Sequence, residues 1–180
     1  METSIKADAK SVTRHDLVSL YEQHSPGLYR YAYRLLGDQH MAEECVSETF
    51  SRFLQTIRNG GGPNENVKAY LYRVAHNYIT DIYRRQPPPA LSLEEDLHAG
   101  DQMNPVHMLT REMEKERVRQ ALVQLPSEQR RVITLRVLEE WSHEEVAAAL
   151  GKTVEATRAL QYRALAALRR LLFEPEDEIL

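Results

Sequence analysis

Apolar residues recur at three- and four-residue spacing along almost the whole chain, and no run alternates polar with apolar for long. That spacing lines one face of a helix and denies a half-buried strand its period of two, so an all-α fold is expected. Leu28, Tyr31, Ala32, Leu35 and Leu36 form one stripe, which stops at Gly37. Ala42, Cys45, Val46, Thr49, Phe50, Phe53, Leu54 and Ile57 form a second, and Val67, Tyr70, Leu71, Val74, Ala75, Tyr78, Ile79 and Ile82 a third. Asn59-Gly60-Gly61-Gly62-Pro63 breaks the chain between them. Leu17, Leu20 and Tyr21 predict a short helix that ends before Pro26, where the ring removes an amide donor.

After residue 85 the pattern collapses. Pro87-Pro88-Pro89 cannot continue a helix, and acids and small residues follow with little to bury. Helical spacing resumes near Pro105, with Val106, Leu109, Met113, Val118 and Leu122 as a loose stripe ending at Leu125-Pro126. Ser127 is expected to cap a helix carrying Val132, Ile133, Leu135 and Val137. Two small helical domains joined by a Pro-rich, acidic linker follow from this. The boundaries are an N-terminal extension 1–14, a first domain 15–86, a linker 87–104, a second domain 105–173 and an acidic tail 174–180.

The formal charge of −4 argues against a generic nucleic-acid binder, but its distribution matters more. Within residues 152–173 the bases Lys152, Arg158, Arg163, Arg169 and Arg170 meet one acid, Glu155. Acids gather instead at Glu94, Glu95, Asp96 and Asp101, and at Glu174, Glu176, Asp177 and Glu178. A basic helix in an acidic chain points to a local DNA footprint. The single Cys45 excludes an internal disulfide and, on an apolar helical face, reads as a small buried hydrophobe. No apolar run approaches the roughly 18–20 residues of a membrane span, and the first ten residues lack an apolar signal core. The expected compartment is the cytoplasm.

The most informative segment begins at Ser142. Ser142 and Glu145 make a capping box, Val146, Ala147 and Leu150 face inward, and Gly151 supplies a tight turn. Thr153 caps a second helix, on which Val154 and Leu160 face back toward the first. Glu155, Arg158, Ala159, Tyr162 and Arg163 share its outer side, a spacing suited to a recognition helix in the major groove. An antiparallel helix pair with a solvated charged face gives the same local pattern, so this segment does not decide alone.

The order of motifs decides. Leu125-Pro126-Ser127-Glu128-Gln129-Arg130 resembles the "L-P-x-x-x-R" opening of the fourth conserved region of sigma factors, with the helix-turn-helix at the family's spacing behind it. Gly37-Asp38 and the run Ala42-Glu43-Glu44-Cys45-Val46-Ser47-Glu48-Thr49-Phe50 resemble the second region's "D-A-E-D-L-V-Q-E-T-F". Ala69-Tyr70-Leu71-Tyr72-Arg73-Val74-Ala75-His76-Asn77, followed by Asp81 and Arg84-Arg85, resembles "A-W-L-Y-R-I-A-x-N". The chain thus resembles the extracytoplasmic-function (ECF) group of the sigma-70 family from about residue 17 to 172, without the first and third regions of housekeeping members.

That resemblance implies a non-catalytic factor that binds core RNA polymerase and directs initiation at minus-ten and minus-thirty-five promoter elements. Glu44, Ser47 and Glu48 are the implied polymerase contacts. Tyr70, Arg73, Asn77, Arg84 and Arg85 are the implied minus-ten residues, with Asn77 reading a flipped base of the melted strand. Thr153, Glu155, Arg158, Ala159, Tyr162 and Arg163 are the implied minus-thirty-five residues. Promoter DNA and core polymerase are the expected partners, with room for an anti-sigma factor, and neither a cofactor, a metal, a small-molecule substrate nor membrane insertion is expected. Three positions depart from the family: Ser47 replaces a usual Gln, Glu155 a common Gly, and Leu160 an Arg, which removes one candidate DNA contact. A helix-turn-helix repressor or activator, with the first domain as a sensor, is the competing reading. An enzyme has little support, since His143-Glu144-Glu145 lacks the second His of a zinc protease and the other histidines are scattered.

Overall fold

The structure is a computed structural model that describes residues 14–63, 66–85 and 105–173. Among them it holds seven α-helices: α1 Arg14–Leu36, α2 Gln39–Arg58, α3 Val67–Arg85, α4 Pro105–Gln124, α5 Ser127–Ile133, α6 His143–Leu150 and α7 Val154–Phe173. A π-helical stretch, Thr134–Leu138, extends α5. The N-terminal extension, the linker and the acidic tail read from the sequence lie outside the described residues, apart from Arg14.

Helices α1, α2 and α3 bury the three stripes against one another. Leu28, Tyr31 and Leu35 of α1 meet Cys45, Phe50 and Phe53 of α2 and Leu71, Ala75 and Ile79 of α3, all buried. Each large side chain removed from water contributes about 1.5–3 kcal/mol, so this packing outweighs the weak propensity of any single helix. Gly37 ends α1 at φ +71°, its amide on the Tyr33 carbonyl, and the Asp38 carboxylate caps α2 by accepting from the Met41 amide at 2.7 Å.

Pro26 does not end a helix, contrary to expectation: α1 runs through it. Packing on both sides explains the difference, since Leu17 and Leu20 before it and Leu28 and Tyr31 after it all lie on the same core. One missing amide bond is outweighed by that burial.

The second set of helices departs from expectation in three places. Leu109, Met113 and Val118 of α4 are exposed, and among its described side chains only the last turn, with Ala121 and Leu122, is buried; Val106 lies outside them. Val137 is likewise exposed. Ser127 is the first residue of α5 rather than its cap: Pro126 holds the cap position without a side-chain bond, and the Ser127 hydroxyl points elsewhere. The capping box of Ser142 and Glu145 forms as expected. Gly151, at φ +64°, closes α6 as a Schellman turn, with Gly151 N–H on the Ala148 carbonyl and Lys152 N–H on that of Ala147. Thr153 Oγ1 accepts from the Ala156 amide and starts α7.

Both sets of helices share one apolar cluster. Lys68, Tyr72, His76, Thr80 and Tyr83 lie along one flank of α3 and meet α5, the loop after it and α6.

Candidate nucleic-acid interface

Helix α3 has two working sides besides its core. Tyr70, Arg73, Asn77 and Arg84 recur at three, four and seven residues, which sets them in a row. Arg73, Asn77 and Arg84 are exposed, while Tyr70 is half-buried with its hydroxyl 2.9 Å from Thr56 Oγ1. The Arg73 guanidinium lies 5.5 Å from the Tyr70 ring centroid, a cation–π contact that fixes the arginine beside the ring. Arg84 pairs at the surface with Asp81 at 3.7 Å, and Arg85 is exposed one step on. The helix therefore presents a half-buried aromatic ring, an amide and three guanidinium groups. Stacking, hydrogen bonding to a splayed base and phosphate neutralisation are the chemistry such a set can perform.

The outer side of α7 gathers the second set. Thr153, Glu155, Arg158, Ala159, Tyr162 and Arg163 are all exposed, with Tyr162 at 77%. Val154 is half-buried, and Leu160 and Ala164 are buried. Leu160 therefore belongs to the core, on the inward side of α7 as expected. The exposed row continues through Arg169 and Arg170. Arg131, itself buried, donates to the Ala149 carbonyl at 2.6 Å and so ties α5 to the end of α6, setting the angle at which α7 projects.

On α2, Glu44 and Ser47 are exposed and Glu48 is partly so, held by Arg52 at 2.6 Å. Cys45 between them is buried, as expected. Burial first, and then the Glu44 carboxylate that accepts its hydroxyl, push the Tyr78 phenol up to about 12.

Sequence reasoning missed the groups that join the two helical sets. His76 is buried, its Nδ1 2.6 Å from Tyr31 Oη and its Nε2 3.0 Å from both the carbonyl and the hydroxyl oxygen of Ser127. Because a carbonyl only accepts, Nε2 carries the proton and Nδ1 accepts from Tyr31. Trp141 is buried, its ring 4.7 Å from that of Tyr72 and under the Lys68 ammonium at 4.2 Å. A signal for Trp141 existed: it precedes the Ser142 cap, and Val146 is four residues into the helix, the spacing of a hydrophobic staple.

Burial, reinforced by the positive charges of Arg131 and Arg130, pushes the His76 pKa down to about 3. An unfolded His titrates near 6.5, so acid protonates the unfolded chain first. The stability from neutral His76 is complete above about pH 6.5 and is lost as pH falls toward about 3. The midpoint of thermal unfolding should therefore fall as pH is lowered from about 7 to about 5. His24, also lowered by burial and by Lys68, acts in the same direction. Replacing His76 by Gln should flatten the dependence without abolishing it, and an unchanged slope would remove His76 from this role.

Among the described residues no cluster of His, Cys, Asp or Glu could hold a metal ion, and no helix is long and apolar enough to cross a membrane.

Known proteins share both halves of this arrangement. The sigma-70 region 2 family matches residues 20–87, and the sigma-70 region 4 family matches residues 115–168. The ECF RNA polymerase sigma factor BldN of Streptomyces coelicolor is 32% identical over 88% of this chain and 60% of its own length. The ECF RNA polymerase sigma factor SigE of Mycolicibacterium smegmatis is 31% identical over 88% of this chain and 62% of its own. The chain thus spans about 60% of the length of these two relatives. SigL of Mycobacterium tuberculosis, also an ECF RNA polymerase sigma factor, is 30% identical over 87% of this chain and 88% of its own. The fold is shared with CnrH in complex with the cytosolic domain of CnrY, at a TM-score of 0.64 and 24% identity, covering 91% of this chain and 92% of that one. With two sigma-70 regions in order and relatives of this kind along most of its length, the chain belongs to the ECF group of the sigma-70 family.

Proposed function

We propose that this chain is a non-catalytic initiation factor that binds core RNA polymerase and directs it to promoters in the cytoplasm. The observation that carries the reading is the pair of exposed faces, each suited to a different DNA state. The α3 row of Tyr70, Arg73, Asn77, Arg84 and Arg85 offers an amide and a half-exposed ring to unstacked bases of a minus-ten element. The α7 row of Thr153, Glu155, Arg158, Ala159, Tyr162 and Arg163 offers groove-reading groups to a minus-thirty-five duplex. These functions divide between a first domain at 15–86 and a second at 105–173, with 87–104 as linker. An anti-sigma factor is a further partner in this reading, supported by the solved sigma factor RpoE in complex with the anti-sigma factor NepR from Bartonella quintana, which shares the fold at a TM-score of 0.60.

Asn77→Ala tests the α3 assignment. A melted-strand contact is absent from the closed duplex, so first engagement of the duplex should persist. Open-complex formation should fall roughly tenfold, the loss of one buried hydrogen-bonded contact of about 1–3 kcal/mol. The assay compares matched duplex and pre-melted promoters, with each downstream base varied in turn. Unchanged preference at every base makes Asn77 structural.

Glu44, Ser47 and Glu48 are the proposed polymerase contacts. Reversing Glu44 and Glu48 to Lys should weaken polymerase binding by an order of magnitude or more, because like-charge juxtaposition at an interface costs several kcal/mol. Folding should change little, since the exposed Glu48–Arg52 pair contributes only about 0.3–0.5 kcal/mol. Full polymerase affinity with an intact helical signal would sink the assignment.

A further inference from the structure

Tyr70 is the first residue of the α3 row, and its neighbours hold the ring at its body and at its tip. Phe53, buried in the core, lies against it with ring centroids 5.9 Å apart. The Arg73 guanidinium is 5.5 Å from the ring centroid. Thr56, half-buried on α2, places its Oγ1 2.9 Å from the Tyr70 hydroxyl. The Gly61 amide in turn donates to the Thr56 carbonyl at 3.0 Å and ties the chain after α2 to this residue. A tyrosine fastened in this way offers one orientation to a strand that meets it, which lowers the ordering cost of the contact.

The protons at the tip decide what Tyr70 can bind. Thr56 Oγ1 also lies 2.9 Å from the Arg52 carbonyl one turn earlier, and a carbonyl only accepts. The single hydroxyl hydrogen of Thr56 is therefore spent on the backbone of α2, a bond that threonine makes readily inside a helix. Between Thr56 and Tyr70 the donor is then Tyr70. Its phenol has given away its only hydrogen and keeps lone pairs alone. The tryptophan written at this place in the family pattern has the opposite chemistry, since an indole N–H only donates. Acceptor character here belongs to Tyr70 and Thr56 together.

We propose that Thr56 is a positioning residue for reading the melted strand: it fixes the Tyr70 ring and makes the hydroxyl an acceptor, so that an adenine or cytosine beside Tyr70 is preferred to thymine. The proposal rests on the promoter-reading function above. The exocyclic amino group of adenine or cytosine donates to such a hydroxyl. Thymine has no amino group, and its exocyclic oxygens, themselves acceptors, face the phenol lone pairs without a hydrogen between them.

The test uses the full chain with core polymerase and compares Thr56→Val, Thr56→Ser, Tyr70→Phe and the double variant Thr56→Val with Tyr70→Phe. Open-complex formation is measured on promoters in which each downstream base is varied in turn. Valine matches threonine in shape but has no acceptor, so the Tyr70 hydrogen is released and the phenol can donate to thymine. Preference for adenine or cytosine over thymine should fall about three- to tenfold at a single downstream position, the worth of one net hydrogen bond. Thr56→Ser keeps the hydroxyl and should keep the preference. Tyr70→Phe should lose it, and the double variant should lose no more than either change alone, because both remove one interaction. Full preference in Thr56→Val overturns the proposal. So does an equal loss in Thr56→Ser, or a loss in the double variant that is the sum of the two. Should Thr56→Val not fold, Tyr70→Phe decides, and an undiminished preference there overturns the proposal as well. A wild-type chain that shows no base preference anywhere downstream would sink the promoter-reading function, and the role of Thr56 with it.

Discussion

Trp141→Ala should lower the free energy of unfolding by about 3–5 kcal/mol, the range for deleting a large buried aromatic side chain. For a chain of this size that is a fall in midpoint on the order of 10 °C. The indole is buried among Tyr72, Lys68 and the start of α6, so its removal leaves a cavity. An edge-to-face aromatic pair, worth about 0.5–1.5 kcal/mol beyond its area, disappears with it. Tyr162→Ala is the matched control, because an aromatic ring that is 77% exposed has almost no packing to lose. Thermal or denaturant unfolding of the two variants beside the wild-type chain gives the comparison. A loss at Trp141 no larger than that at Tyr162 would mean that burial of the indole contributes nothing to stability.

The staple spacing of Trp141 to Val146 marks the helix entry, but burial of the indole against Tyr72 and Lys68 is set by partners distant in sequence. The capping box at Ser142 and Glu145, the turn at Gly151 and the cap at Thr153 involve partners within a few residues, and local chemistry suffices to place them. Helical phase also separates Arg158 and Tyr162 outside from Val146 and Ala164 inside. Partners distant in sequence leave no such mark. Ser127 looks like a cap because serine before an apolar run usually is one, yet its hydroxyl is taken by His76, 51 residues away. Pro26 looks like a stop for the same reason, and the core on both sides overrides it. Arg130 and Arg131 are recognisable only as part of a motif. Their burial, with carbonyls, Thr80 and the Tyr83 ring as partners, becomes visible when α5 meets α3 and α6.

Arg158→Ala and Arg163→Ala should each weaken upstream-element binding by about 1–3 kcal/mol if the side chain is bidentate to a base. Five residues apart on α7, the two are far enough separated for the losses to add approximately, giving about 2–6 kcal/mol for the double variant. The substitutions are clean in the free chain, since both side chains are exposed and neither makes a hydrogen bond or ion pair among the described residues. Any fall in binding is then a lost contact to DNA rather than a loss of fold. Salt separates the two kinds of contact. An arginine that only neutralises phosphate weakens every sequence alike and lowers the salt slope by about one. An arginine that reads a base loses its discrimination at one position. Glu155 shares this exposed side of the helix three residues before Arg158, and its carboxylate repels phosphate but accepts from a cytosine amino group. Glu155→Gln should therefore strengthen binding generally while relaxing preference at one base pair. Holoenzyme titrations on promoters with each upstream base varied, at two salt concentrations, resolve all three. Wild-type affinity, wild-type salt slope and wild-type base preference in the double arginine variant would remove α7 from upstream-element recognition.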